Sequence, residues 1–279
     1  MSLNSVNTNR QAVFALQSLN QTNNELGVVQ KRVSTGFRVA DARDDGGAYA
    51  VAQAVRSDMA GVTAVNEQLG GVKGVLQTTF ASLTVVSDTM RQARATLTRL
   101  ADGSIDSTQR KQYETQYEQL RTQIGQFISD ATYNGRTLLS TDTAASVGGG
   151  DIIGIRNEAG GTFSITAEDG ANLKIAAQAT AATDYQSATT YLNGGFTTIE
   201  AAISTALNKF GASMQYVENQ ISYNSKKNDA MNDGLGALVD ADLAKESSNL
   251  QALQTRQQLG IQTLSLGNQG PQVLLSLFR

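Results

Sequence analysis

The 279-residue sequence contains no cysteine, no histidine, no tryptophan and one proline, Pro271. Each absence removes a class of function. Without cysteine there is no disulfide framework, no zinc ribbon and no thiol chemistry. Without histidine there is no Ser-His-Asp triad, no HExxH metal site and no imidazole base. A site built from Asp, Glu, Lys or Tyr alone stays open, but no convergent acid-base set is visible. An enzyme is therefore the least favoured reading, and the sequence predicts no cofactor and no metal. A net charge of -3 and a pI near 5.1 argue against nucleic acid, which needs concentrated Lys and Arg. No apolar run approaches the ~18 residues of a membrane helix, so membrane insertion is not expected. The stretch from Met1 to Arg10 is polar and lacks the basic and apolar regions of a cleaved signal; any export is expected to proceed without one.

What is present is periodicity. From Val51 onward, apolar residues recur every three or four positions: Val51, Val55, Val62, Val65, Leu69, Val72, Leu76, Phe80, Leu83, Met90, Leu97 and Leu100. This predicts one helix from Gly47 to Leu100, roughly 80 Å long at ~1.5 Å per residue. Ala101 to Ser104 reads as a turn. A second helix carries Tyr113, Tyr117, Leu120, Ile124 and Phe127 and ends near Tyr133-Asn134-Gly135. A third, from Gly195 to Leu238, repeats the rhythm with Ile199, Ile203, Phe210, Met214, Val217 and Ile221. Asn224 and Asn228 fall on its seam, where a polar residue often fixes register. A repeat of about 3.5 residues sustained this long implies left-handed supercoiled packing. The predicted fold is mainly α: a long antiparallel helical rod with coiled-coil-like packing, paired terminal helices and a small β-hairpin insertion. The insertion, about 142–190, is rich in Gly, Ala and Thr. Its β-like runs are Asp151 to Ile155, Thr162 to Thr166 and Leu173 to Ala176, expected as a cap at the far end of the rod.

The two chain ends differ from the middle. Leu3, Val6, Val13, Leu16, Leu26, Val29 and Val33 form a stripe at helical spacing. Leu243, Leu250, Leu253, Ile261 and Leu264 do the same at the other end. Between Met1 and Gln30 the only charges are Arg10 and Glu25; between Glu246 and Arg279 the only one is Arg256. A helix facing water normally carries Lys and Glu on its outer side. A face of amides and hydroxyls suits a helix enclosed by other protein. Such helices should be marginal alone, and they are expected to fold on assembly.

Other features have plainer readings. Asp41, Asp44 and Asp45 beside Gly46-Gly47 are read as a helix cap in preference to a cation site, since EF-hand spacing and its closing Glu are missing. Gly148-Gly149-Gly150 lacks the following Lys-Ser of a phosphate loop and is read as a flexible lead-in. Lys226-Lys227 is a solvated face. Tyr113 and Tyr117 are core or interface residues. The run Val273-Leu274-Leu275-Ser276-Leu277-Phe278 is too short to span a bilayer and, left exposed, would promote aggregation. It is expected to be an interface.

With these blocks in view, the chain resembles bacterial flagellin. Ser5-Val6-Asn7-Thr8-Asn9 is similar to the family's opening I-N-T-N. Lys31 to Val39, followed by Ala40-Asp41-Ala42-Arg43-Asp44-Asp45, resembles E-R-L-S-S-G-L-R-I-N-S-A-K-D-D. Thr132 to Leu139 resembles the Q-F-N-G block, and Ala241 to Leu250 the D-x-A-x-E-x-S block. Asn268 to Arg279 is similar to the ending N-Q-x-P-Q-x-V-L-S-L-L-R. Their order and spacing make the resemblance specific. It implies a subunit that self-assembles into the flagellar filament, outside the cell. It implies 1–33 paired with 243–279 as the filament's inner core, 34–46 and 235–242 as connectors, and 47–234 as the outer rod. The self-assembly residues expected on this reading are Leu3, Val6, Val13, Leu16, Leu26, Leu250, Leu253, Leu264, Val273, Leu274, Leu275, Leu277, Phe278 and Arg279.

The implied partners are identical or paralogous copies, the flagellar export apparatus, a chaperone of the C-terminal segment, and cap and junction proteins. The short middle implies a thin, smooth filament. Flagellins sensed by the innate immune receptor carry R-V-R-E-L-A-V-Q, where this chain reads Gln92 to Arg99; Gln92 and Thr96 replace the first Arg and the Leu. Weak or absent receptor activation is expected. A hook-filament junction protein of the same superfamily is the alternative, and a surface glycan-binding relative another. Tyr185 and Tyr191 are present but no Trp to stack on a sugar. Ser and Thr between Leu139 and Thr190 are candidates for O-linked glycans.

Overall fold

The structure is a computed structural model describing residues 9–140, 148–175 and 184–277, with side chains through residue 269. Its elements are α1 (Arg10–Thr35), α2 (Gly46–Leu100), α3 (Ser107–Asp130), β1 (Ile152–Ile155), β2 (Thr162–Ile165), α4 (Gly170–Leu173), α5 (Tyr185–Tyr191), α6 (Thr197–Val239) and α7 (Leu243–Leu277). They fall into two compact units, Met1–Ser57 with Ala230–Arg279, and Asp58–Asp229. The first therefore reaches past the terminal helices and connectors into the start of α2 and the end of α6.

In the larger unit the α2 seam is more regular than the sequence pattern suggested. Val62, Val65, Leu69, Val72, Leu76, Thr79, Leu83, Val86, Met90, Ala93, Leu97 and Leu100 alternate steps of three and four, and all but Val72 are buried. Two expected seam positions move. Thr79 takes the place of Phe80 and loses no hydrogen bond on burial, since its hydroxyl donates to the Val75 carbonyl at 2.8 Å. Phe80 sits one position round, against Gly211 of α6. Val51 is exposed, and its neighbour Ala52 is the buried residue.

Two helices cover this seam, each antiparallel to α2. On α3, the Ser82 hydroxyl meets the Phe127 carbonyl at 2.6 Å, and the Arg99 guanidinium lies 5.6 Å from the Tyr113 ring centre. On α6, Lys73 pairs with Glu218 at 2.9 Å and Arg94 pairs with Glu200. Tyr117, Leu120, Ile124 and Ile128 from α3 complete the core with Ile203, Phe210 and Val217 from α6. Caps fix the helix starts. Asp106 accepts from Thr108 and Gln109 N–H, and Asp45 accepts from Ala48 N–H at 3.0 Å, the cap that the Asp cluster predicted.

The insertion departs from expectation in three ways. First, only two strands form among the described residues. They pair antiparallel from Ile152↔Ile165 to Ile155↔Thr162. The third expected run, Leu173 to Ala176, does not continue them: Leu173 ends the short α4, capped by Asp169, and Ala176 lies outside the described residues. Second, the hairpin does not cap the end of the bundle. It lies along α6, with Glu168 paired to Lys209, Phe163 5.4 Å from Tyr216, and Glu158 paired to Lys227. Its inner residues Ile152 and Ile165 are buried this way. Asn224 serves this docking. It is buried, and with Gln220 it donates to the Arg156 carbonyl at the hairpin turn, at 3.2 and 3.0 Å. Third, helix begins before Gly195. Asp184 caps α5 through Ser187 N–H at 2.7 Å, and a single π-helical turn, Leu192–Phe196, carries the chain into α6.

In the smaller unit the connectors are short and paired. Residues 36–39 run against 239–241 through Arg38 N–H to Val239 O (2.7 Å) and Ala241 N–H to Gly36 O (2.9 Å). Helix α6 continues through Val239, so the expected connector 235–242 shrinks to three residues. Leu235, Leu238 and Val239 stay helical because they pack with Val39, Ala48, Tyr49 and Ala52.

Candidate assembly surface

The two ends of the chain come together as α1 and α7. Asn9 starts α1 by accepting from Ala12 N–H at 3.1 Å, and Gly36, at φ +75°, ends it with its N–H on the Arg32 carbonyl. The pairing is antiparallel with a constant register. The Asn9 amide donates to Gly267 O at 2.7 Å. A Cβ on Gly260 would stand 3.1 Å from the Leu19 side chain. Gln257 donates to Asn23 at 2.8 Å, and Arg32 pairs with Glu246 at 3.2 Å. Each step forward along α1 is matched by a similar step back along α7.

The seam between them is thin. Among the described residues, Val29 and Leu253 are the only apolar side chains of the two helices that are buried. Of the residues expected at the interface, Leu26, Leu250 and Leu264 are half-buried, while Val13 and Leu16 are exposed. Leu3, Val6, Phe278 and Arg279 lie outside the described residues, and so do the side chains of Val273, Leu274, Leu275 and Leu277. The structure also exposes apolar groups that a single-stripe reading passes over. Phe14 is 68% exposed and Leu266 71%, and Val28 and Leu259 are exposed as well, as are Leu243 and Ile261 of the expected stripe. Phe14 follows Val13 directly, so no one helical stripe contains both. Apolar surface on several sides of a helix pair is the mark of a surface made for contact.

Where α1 meets its connector, charge is concentrated. Lys31 Nζ reaches Asp41 at 2.9 Å and Asp44 at 2.7 Å. Asp44 also accepts the N–H groups of Ala40 and Asp41, and Asp41 that of Arg43. The Lys31 ammonium, with these N–H groups behind it, holds both carboxyls below their ordinary value, and the two carboxylates raise Lys31 in return.

Comparison with known proteins bears directly on these two ends. Residues 6–144 match the bacterial flagellin N-terminal helical region, and residues 194–278 match the bacterial flagellin C-terminal helical region. The chain belongs to the flagellin family. It is 33% identical to flagellin FljK of Caulobacter vibrioides over the whole of both chains. It is 31% identical to a flagellin of Brucella melitensis over 99% of both, and 27% identical to flagellin FlaB1 of Treponema pallidum over 98% of this chain and 99% of the other. Two solved structures share the fold. A flagellin from Bacillus cereus gives a TM-score of 0.50 at 22% identity, covering 57% of this chain and 88% of that one. A flagellar hook-associated protein from Vibrio parahaemolyticus gives 0.58 at 13% identity, covering 71% and 100%. The hook-associated likeness is one of fold, whereas the full-length similarity in sequence lies with flagellins of nearly the same length.

As a flagellin the chain is a filament subunit, and its family is structural. Its partners are further flagellin copies in a polymer outside the cell. The exposed apolar residues of α1 and α7 are thus surface in one chain but not necessarily in the filament.

The Lys31 cluster gives a pH dependence with a definite sign. Depressed carboxyls add order that is complete above their ordinary value of 3.8 and is lost as pH falls through the depressed values. Lys31 adds order that is complete below its ordinary 10.5 and is lost as pH rises through its raised value. The protection factors of the Ala40 and Asp41 amides, which correct for the intrinsic pH dependence of exchange, should therefore fall on acidification only below pH 3.8. In Lys31→Met the acid transition should move up towards that value.

Proposed function

We propose that α1 and α7 form the inner core of the filament, with 1–33 and 243–279 contacting other copies, 34–46 and the shortened 240–242 as connectors, and the helices between them as the outer region. The observation that carries this reading is the exposure of apolar side chains on the two terminal helices, where residues 1–30 and 247–278 carry only Arg10, Glu25 and Arg256 as charges. Val13 and Leu16 belong to that surface with Phe14, Leu259, Ile261 and Leu266; Leu26, Leu250 and Leu264 are half-buried at its edge, and Leu253 supports it from the seam. The family's ending from Asn268 to Arg279 supports including Val273, Leu274, Leu275, Leu277, Phe278 and Arg279; its opening supports Leu3 and Val6. Contacts of this kind are heterologous: one patch meets a different patch on the next copy and the array stays open. Burial at ~25 cal/mol per Å² of apolar surface supplies the driving force. The resemblance to flagellins also supports export through the flagellar apparatus with a chaperone on the C-terminal segment, and capping and junction partners at the filament ends.

The direct test is polymerisation driven by ammonium sulfate and read by electron microscopy. Wild type should give long uniform filaments, and a truncation lacking Leu243 to Arg279 none. Phe14→Asp and Leu266→Asp should keep the monomer's helical content. Each should raise the critical concentration at least about tenfold, since burying an unpaired carboxylate costs more than the ~1.4 kcal/mol which that factor represents. Filaments from either variant at wild-type concentrations would remove those residues from the interface.

We also propose that this flagellin activates the innate immune receptor weakly. The reading rests on the two replaced positions: Gln92 stands where those flagellins have the first Arg, and Thr96, which replaces their Leu, is buried with its hydroxyl on the Gln92 carbonyl. A reporter-cell response equal to that of a typical enteric flagellin would contradict this.

A further inference from the structure

Among the described residues, three charges on the terminal helices make no ion pair: Lys245, in the first turn of α7, and Glu25 and Arg256, well inside the pair. Glu25 is exposed on α1 and takes only the Gln21 amide, at 3.0 Å. Arg256 is exposed on α7 and makes no ion pair among the described residues. Together they line both grooves that run between α1 and α7, of about 490 and 410 Å³. Their surroundings make them conspicuous. Apart from Arg10, they are the only charges on residues 1–30 and 247–269. The seam charges nearby are already matched, Arg32 with Glu246.

Resting on the filament reading above, we infer that Glu25 and Arg256 are the register contact between copies: Glu25 of one chain meets Arg256 of the next. The groove's occupant is a terminal helix of a second copy. Every copy brings one acid and one base, so Glu25 of one copy takes Arg256 of the next while its own Arg256 is left for a further copy, and the array stays open. The apolar residues on either side, Leu16 and Leu259 among them, give adhesion but little preference for one axial position over another. Sliding one copy along another would exchange one apolar contact for a similar one. A single charge pair does not tolerate that. In a contact closed to water, a mismatched or like-charged arrangement is strongly disfavoured, so the pair selects one register even where its net contribution to affinity is small. The same pair at the surface of one free chain would contribute little, consistent with the two side chains standing unpaired there.

Charge exchange in the full-length chain tests this and separates a contact between copies from one within a chain. Glu25→Arg and Arg256→Glu should each fold as wild type, because both positions are exposed, and each alone should raise the critical concentration at least tenfold. An equimolar mixture of the two variants should restore assembly to within about threefold of wild type. In the mixture each contact between unlike copies again joins an Arg to a Glu. The double variant Glu25→Arg/Arg256→Glu should also assemble. Single variants that polymerise like wild type would overturn the inference. So would rescue in the double variant without rescue in the mixture, which would place the pair inside one chain, and so would failure of both. Failure of wild type under the same conditions would instead strike the filament reading itself.

Discussion

Two helices lying side by side share one seam, and a seam hides only the side chains that face it. The rest of this molecule's behaviour follows from how α1 and α7 depart from that arithmetic. Their seam buries Val29 and Leu253, while Phe14, Leu266 and several other apolar groups point elsewhere. Charges that would make those outer faces comfortable in water are nearly missing. A pair of this kind is held weakly by itself, because so little apolar area leaves water when it forms. On the proposed assembly, neighbouring copies supply the missing cover.

The unit formed by Asp58–Asp229 solves the opposite problem. Its α2 seam is continuous, two antiparallel helices cover it, and its surface carries ion pairs such as Lys73–Glu218, Arg121–Glu118 and Lys209–Glu168. The hairpin is tied to α6 by side chains reaching the Arg156 carbonyl. This unit has its own core and is complete in one copy. The proposed filament core gives that division a use: one part is complete in each copy, while the other is left to be completed by the polymer.

Much of this was legible in the residues. The three-four spacing marked α2, α3 and α6, and the Asp cluster marked the cap of α2. Scarcity of charge marked the ends. The errors have physical causes. Phe14 was passed over because a single-stripe search discards a residue adjacent to one it has accepted, although a helix enclosed by protein is apolar on several faces. Thr79 replaced Phe80 because a threonine that bonds its own helix backbone buries as readily as an aliphatic residue of its size. Asn224 looked like a register device between helices, yet it holds a loop carbonyl, which only the folded hairpin brings within reach. Leu173 looked β-like but follows Asp169-Gly170. There the Asp caps a helical turn, and a Cβ at Gly170 would stand 2.3 Å from the Leu139 carbonyl oxygen. The charges of Glu25 and Arg256 were visible, but not their convergence on one groove.

The central claim is that the terminal pair is incomplete in one chain and completed by others. Amide hydrogen exchange on dilute monomer and on assembled filament measures this at every residue. Amides of α1 and α7 should exchange within seconds to minutes in the monomer and be protected by orders of magnitude in the filament, while the α2 stretch from Leu69 to Leu97 is protected in both. Equal, strong protection of α1 and α7 in the two states would show that the pair is already complete alone, and would contradict the account.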